Sequence, residues 1–346
     1  MKRRVGIIGS ICEKLDGQTI KTKTLLDELR KRTDWKFYIA NTQNKSSSPI
    51  KLLFQTIWML LRCKDVFILV SQNGARVYFP MLYYAGKILK TRVYHDVIGG
   101  SPEDYVINNP RNRKYLNSFV VNWVETQQMC YGLDSVGVKN AEEMPNFKRL
   151  KCVNPYDFKP CETEPYKLCT FSRVMKEKGI EDAIEAVEYI NEKYKREVYQ
   201  LDIYGLIDEE YKERFSSIIT NCSSSVSYKG LVPYDKSVEV IRDYFALLFP
   251  TYWFGEGFPG TIVDAFSSGV PVIATDWSAN KEIVDHLQTG LIYPNEDMRD
   301  LKDALIWAKD NTSILFDMKF NCAKKAKDYQ PDIHIEKIIK RVERNG

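Results

Sequence analysis

Residues 250–276 read PTYWFGEGFPGTIVDAFSSGVPVIATD. An apolar, strand-like run, Ala246–Pro250, enters this stretch, and a second, Pro271–Thr275, leaves it; a glycine-rich loop and a helix starting near Thr261 lie between them. Strand, loop, helix and strand in that order make one crossover of a parallel α/β sheet. Gly257, Pro259 and Gly260 let the backbone approach a ligand closely. The free N–H groups and the positive dipole end of the helix suit a phosphate. Two carboxylates flank the loop, eight positions apart. Glu256 at its entrance is suited to accept hydrogen bonds from sugar hydroxyls, and Asp264, one turn into the helix, to chelate a vicinal diol such as ribose.

The same alternation runs through the 346 residues. In the first half the strand candidates are Arg4–Ser10, Lys36–Ala40, Asp65–Ser71, Thr91–His95 and Phe119–Val124, with helical patterns over Thr19–Arg32 and Ile50–Cys63. In the second half they are Lys167–Ser172, Tyr199–Tyr204, Val226–Lys229, Ala246–Pro250, Pro271–Thr275 and Leu291–Tyr293. Two such series predict an α/β protein of two Rossmann-like domains, with the carboxyl ends of both sheets at a shared cleft. The expected division is a first domain over 1–150, a linker over 151–166 punctuated by Pro155, Pro160 and Pro165, and a second domain over 167–330. A final helix, Asp332–Glu343 within 331–346, carries Ile335, Ile338, Ile339 and Val342 on one face and is expected to pack back across the junction. In the Ile50–Cys63 helix, Ile50, Leu53, Phe54, Ile57, Trp58 and Leu61 share a face, which predicts core packing.

Composition excludes several classes. The eight cysteines are scattered, from Cys12 to Cys322, with no Cys-x-x-Cys and no histidine at ligand spacing, which reads as reduced thiols and no metal site. The apolar run after Met1 is short and is followed by Glu13, Lys14 and Asp16, so a buried strand is expected there rather than a signal peptide. The Ile50–Leu61 run falls short of the about 20 residues that span a bilayer, so no integral membrane segment is expected. No Asp-x-Asp and no Walker A motif occurs. The net charge of +4 hides an asymmetry: residues 1–150 carry 24 Lys and Arg against 13 Asp and Glu, the remainder 26 against 33. A half this basic suggests an anionic partner such as phospholipid or a lipid phosphate. A nucleic-acid partner is not expected, because no recognition motif accompanies the charge.

The 250–276 stretch resembles the Glu-x7-Glu region of retaining GT-B glycosyltransferases, specifically family 4 (glycosyl transferases group 1), with Asp264 in place of the second Glu. The resemblance extends to Glu282 in Asn280-Lys281-Glu282-Ile283-Val284. A second piece, Phe171 to Ile180 (FSRVMKEKGI), is similar to the family's Gly-Arg-x5-Lys-Gly run, one residue shorter and with Ser172 for the glycine. Pro145-Asn146 resembles the close of the family's first domain, and Gly17-Gln18-Thr19 its loop after the first strand.

What the resemblance implies is a GT-B fold and transfer of a sugar, with retention, from a nucleotide-sugar donor to a glycan or lipid-linked acceptor in polysaccharide or glycolipid assembly. UDP is the default nucleotide, and no metal or other cofactor is implied. Arg173 and Lys178 would grip the donor diphosphate and stabilise the leaving charge. Glu256 and the Gly257-Phe258-Pro259-Gly260-Thr261 loop would hold the donor, Gly17 would lie near its phosphate, and His95 would touch its sugar near the reaction centre. The shorter Asp264 would reach ribose at longer range or through water. His286 and His334 read as surface or interface residues. The expected location is cytoplasmic, at the inner membrane face, with the basic first domain and the apolar-basic 50–62 helix meeting anionic lipid. Two rivals share such a cleft: a non-catalytic nucleotide-sugar-binding protein, and a sugar-nucleotide epimerase, for which no acid/base pair is evident.

Overall fold

The computed structural model describes residues 2–11, 17–45, 48–160, 163–294 and 298–345. Cys12, Glu13, Lys14, Asp16 and Cys161 lie outside these. The chain forms two compact units, Met1–Arg149 with Pro331–Gly346, and Leu150–Gln330. Among the described residues no helix is long and apolar enough to cross a membrane.

The first unit is built on a parallel sheet of β1 (Arg4–Gly9), β2 (Lys36–Asn41), β3 (Asp65–Leu69), β4 (Arg92–Asp96), β5 (Val121–Val124) and β6 (Ala141–Glu143), in the order β2-β1-β3-β4-β5-β6. Alternation along each strand sends neighbouring residues to opposite faces. Val5, Ile7, Phe67 and Leu69 pack with Leu25 and Leu29 of helix α1 (Gly17–Arg32) and with Ile335, Ile338 and Val342 of the C-terminal helix Pro331–Arg344. Ile8, Val66 and Ile68 pack on the other face under helices α2 (Pro49–Arg62) and α3 (Gln72–Leu89). Helix α2 sits so close that a Cβ at Gly6 would lie 2.7 Å from Met59 Sδ. The C-terminal helix is thus part of the first unit, tied by Arg149, which binds both buried Glu28 of α1 (2.7 Å) and Asp332 (2.8 Å). The strand the sequence does not announce is β6: its Ala141-Glu142-Glu143 has no apolar alternation because it is a short, mostly exposed edge.

The second unit repeats the plan with β7 (Tyr166–Phe171), β8 (Tyr199–Tyr204), β9 (Val226–Gly230), β10 (Ala246–Phe249), β11 (Val272–Thr275) and β12 (Gly290–Tyr293), ordered β12-β11-β10-β7-β8-β9. Leu168, Leu201 and Leu248 bury under the helix Ile180–Tyr194, whereas Cys169, Leu247 and Phe249 pack on the opposite face with the helix Gly260–Ser267.

One expectation is overturned here. The apolar face of α2 does not enter the core: Leu52, Thr56, Met59 and Leu60 are the buried residues, and Ile50, Leu53, Phe54, Ile57, Trp58 and Leu61 are all exposed. The helix is apolar on both sides, and the sheet can cover only one. His334 lies where the C-terminal helix packs on the first unit. It is buried and stacked on Phe147, ring centroids 5.4 Å apart, while His286 is exposed.

Candidate functional site

In each sheet the strand order reverses at one place, where crossovers leave in opposite directions and the carboxyl ends of two strands splay to leave a crevice. In the second unit that place is β7 beside β10. The loop after β7 carries Arg173 and Lys178; the loop after β10 carries Thr251, Trp253 and Glu256. The two loops are locked together by backbone. Tyr252 donates its N–H to the Glu177 carbonyl (2.9 Å). Gly179, at φ +68°, sits where a Cβ would lie 2.1 Å from the Pro250 carbonyl oxygen, so only glycine fits.

That closure brings Lys178 and Glu256, 78 residues apart, into a direct, buried ion pair. The Thr251 hydroxyl lies 3.1 Å from Glu256 Oε2, and the ammonium of Lys178 rests over the rings of Trp253 (4.8 Å) and Phe249 (5.5 Å). Trp253 is held in turn by Trp277, whose indole N–H donates to its carbonyl (2.8 Å), and Ser278 donates to the Glu256 carbonyl (3.0 Å). Phe254, 84% exposed, stands at the rim. Arg173 is half-exposed in the same β7 loop, 3.8 Å from Asp208, and is not drawn into the pair.

The Gly257–Thr261 segment leads into the helix Gly260–Ser267, with Pro259 at its N-cap. Thr261 Oγ1 is buried there without a hydrogen-bond partner. The ring of Phe258 turns inward, edge-on to Tyr329 at 5.3 Å, so this residue offers a ligand its backbone rather than its side chain. Asp264 is buried and accepts a hydrogen bond from Ser237 Oγ (3.0 Å). Thr251, Trp253, Ser237 and Trp277 are missed by sequence reasoning, since nothing local marks them; only the meeting of strand ends does.

In the first unit the corresponding reversal falls between β1 and β3. A cavity of about 430 Å³ opens there, with Ser10, Gln18 and Ser71 at its polar end and Leu52, Leu53, Val77 and Met81 along its walls. Gly17 begins α1 with open space about its Cα, and the buried Thr19 hydroxyl lies 2.9 Å from Ser10 Oγ. Deeper in, Lys21 is buried between Asp96 (2.6 Å) and Glu125 (2.9 Å).

His95 does not join these surfaces. It is fully buried, with Phe79, Tyr105 and Phe119 packed edge-on or tilted around its ring at 5.1–6.0 Å. Asn122 uses its amide N–H groups on Leu116 and Asn140, so its oxygen accepts from His95 Nδ1 (2.9 Å), which makes the imidazole a neutral Nδ1–H tautomer. The strand end that carries His95 is roofed by aromatic side chains, and its Nε2 is buried there without a hydrogen-bond partner among the described residues. Burial pushes its pKa down from 6.5 to about 4. The unfolded chain then binds a proton that the folded chain refuses across that window, so stability is lost as pH falls from 6.5 towards 4. The loss is about 3 kcal/mol at its fullest. Urea unfolding at pH 7 and pH 4.5 should show a deficit that His95→Gln reduces; equal deficits in both proteins would sink the assignment.

Among the described residues no three His, Cys, Asp or Glu side chains converge as a metal-ligand set.

Comparison with solved structures places the fold. The chain superposes over 99% of its length on 99% of Anabaena HepE, crystallised with UDP and glucose, at TM-score 0.74 and 13% identity. It superposes equally fully on a sucrose-phosphate synthase from Thermosynechococcus elongatus, at TM-score 0.76 and 14% identity. The fold is GT-B, two Rossmann-like domains. Among curated proteins it is 21% identical over 238 residues to an uncharacterized glycosyltransferase of Methanocaldococcus jannaschii, covering 66% of this chain and 57% of that protein. It is 22% identical over 148 residues to the amylovoran biosynthesis glycosyltransferase AmsK of Erwinia amylovora, covering 41% and 36%. The chain thus spans about half the length or less of these relatives. The model of the family "Glycosyl transferases group 1" matches residues 157–329, half of the 346-residue chain and the whole span that carries the Lys178–Glu256 site, and the chain belongs to that family.

Proposed function

We propose that this protein is a retaining, metal-independent glycosyltransferase that moves a sugar from a UDP-sugar to a glycan or lipid-linked acceptor. The observation that carries the reading is the Lys178–Glu256 pair, set at the β7/β10 reversal, with the half-exposed Arg173 in the same loop after β7. A ligand here meets two cations suited to a diphosphate and one carboxylate suited to hydroxyls, which is the polarity of a nucleotide sugar. Asp264, which accepts a hydrogen bond from Ser237, is the carboxylate this reading assigns to the ribose.

In the reaction the bond from the anomeric carbon to the diphosphate oxygen breaks, and the bond to the acceptor oxygen forms on the same face. The acceptor proton passes to the leaving phosphate. Lys178 and Arg173 stabilise the charge that develops there, and Glu256 holds the sugar in place. The UDP assignment is supported by the complex of HepE, and polysaccharide assembly by the name of AmsK. Work on the cytoplasmic side, with the basic first unit against an anionic membrane, belongs to the same reading.

A thermal-shift screen with EDTA present tests it against UDP-, GDP-, dTDP- and ADP-sugars. At a hundred times Kd a ligand specific to the folded state adds about 2.7 kcal/mol, or roughly 5–10 °C in Tm for a unit of this size. A UDP-sugar should give that shift, Arg173→Ala should weaken it, and release of UDP with acceptor present should follow. No shift with any donor sinks the proposal, and a shift without turnover makes the chain a binding protein.

A further inference from the structure

The first unit carries a surface that donor chemistry does not use. On α2 the six apolar residues at positions 50, 53, 54, 57, 58 and 61 are between 44% and 70% exposed, and on α3 Val77, Tyr84 and Ile88 are exposed along one stripe. The two helices pack side by side on the same face of the sheet, so their stripes lie on neighbouring helices. A contiguous apolar face of this extent on a folded unit marks a docking surface.

Its charge selects the occupant. From Trp35 to His95 the sequence holds nine Lys and Arg and one acid, Asp65. That acid is buried against Arg3 (2.9 Å) and Arg92 (2.7 Å), so it offers no negative charge outward. Arg62 lies over the Trp58 ring at 4.3 Å, an aromatic and a cation placed together as at a bilayer interface. A protein partner would have to match a face this apolar and this basic at once. An anionic lipid surface matches both without further design. The cavity at the β1/β3 reversal shares Leu53 and Val77 with this face, so its apolar walls continue outward from its polar end at Ser10 and Gln18.

We infer that the α2–α3 face seats on an anionic lipid bilayer, and that the cavity opening beside it takes the polar head of an acceptor whose apolar chain stays in the lipid. The choice of a lipid-linked acceptor rests on the transferase reading; the docking does not.

The test uses the full chain with vesicles of phosphatidylcholine alone or mixed in equal parts with phosphatidylglycerol. The wild type should co-sediment with the anionic vesicles, weakly with the neutral ones, and less at high salt. Phe54→Ser with Leu61→Ser, both exposed, should cut binding roughly tenfold or more, as should Lys51→Glu with Arg62→Glu. A blue shift of tryptophan emission on binding should vanish in Trp58→Phe. The melting temperature and the UDP-sugar shift of each variant should stay at wild-type values, which separates this inference from the transferase reading. Loss of the donor shift in the wild type with vesicle binding intact leaves the docking standing and removes the acceptor. No sedimentation with anionic vesicles, or equal sedimentation of the Phe54/Leu61 variant, overturns it. So does a dimer, seen by sedimentation velocity, that the same variant dissolves: the face would then be covered by a second copy.

Discussion

Lys178→Met is expected to lower kcat/KM for sugar transfer by about 10²–10³ and the folding stability by about 3–5 kcal/mol. The two effects have one origin. Lys178 and Glu256 form a buried pair, and removing the cation leaves the carboxylate sealed in with the Thr251 hydroxyl as its remaining side-chain partner. An uncompensated buried charge is far more costly than a missing contact. Stability and chemistry can be separated. Lys178→Met with Glu256→Gln removes the stranded charge, so chemical denaturation should show most of the stability restored. Transfer should stay depressed, because no ammonium is left to meet the leaving diphosphate. Glu256→Gln alone strands the buried Lys178 ammonium instead, so it too should lose stability, though less than Lys178→Met, because the amide oxygen still accepts a hydrogen bond and the Trp253 and Phe249 rings still face the cation; turnover should fail as well. If Lys178→Met retains kcat/KM within about threefold, the lysine is a structural partner of Glu256 and no more.

Lys21→Met should unfold the first unit more readily than any surface change, by about 3–5 kcal/mol near neutral pH. Burial pulls the Lys21 pKa down, but the charges and hydrogen bonds of Asp96 and Glu125 together outweigh it, so the ammonium stays charged well above the ordinary lysine range. Asp96 is pushed the other way, upward, by burial against the partial relief that Lys21 supplies. Without the ammonium, two carboxylates face each other in the interior. The folded state of the variant then binds a proton more tightly than the unfolded chain does. Its stability should therefore rise as pH falls through the raised pKa of Asp96, opposite in sign to the His95 effect. Urea unfolding of wild type and variant at pH 7.5 and pH 5.5 reads this directly: the gap between them should narrow at the lower pH. A gap that stays constant would mean that Lys21 acts by packing alone, and Lys21→Met with Asp96→Asn would then recover nothing.

The parts of the site differ in how far local sequence reveals them. Glu256, Asp264 and the glycine loop are adjacent in the chain, and their spacing reflects one strand–loop–helix unit. Arg173 and Lys178 are equally local. That these two stretches meet, and that the meeting is an ion pair reinforced by Thr251 and Trp253, depends on β7 and β10 being neighbours in the sheet although 74 residues lie between their ends. The surroundings of His95 are equally non-local: Phe79, Tyr105 and Phe119 come from three other places in the chain and pack around its ring.

Periodicity and punctuation, which are local properties of the chain, determined the alternating strands and helices, the two parallel sheets and the loop that carries Glu256. Tertiary structure decided whatever depends on competition for a limited interior. A sheet face has room for one side of a helix, so the apolar stripe of α2 was left outside while Leu52, Thr56, Met59 and Leu60 went in. Helical spacing alone shows that such a helix has two apolar sides; which one water meets is settled only when the sheet has chosen the other.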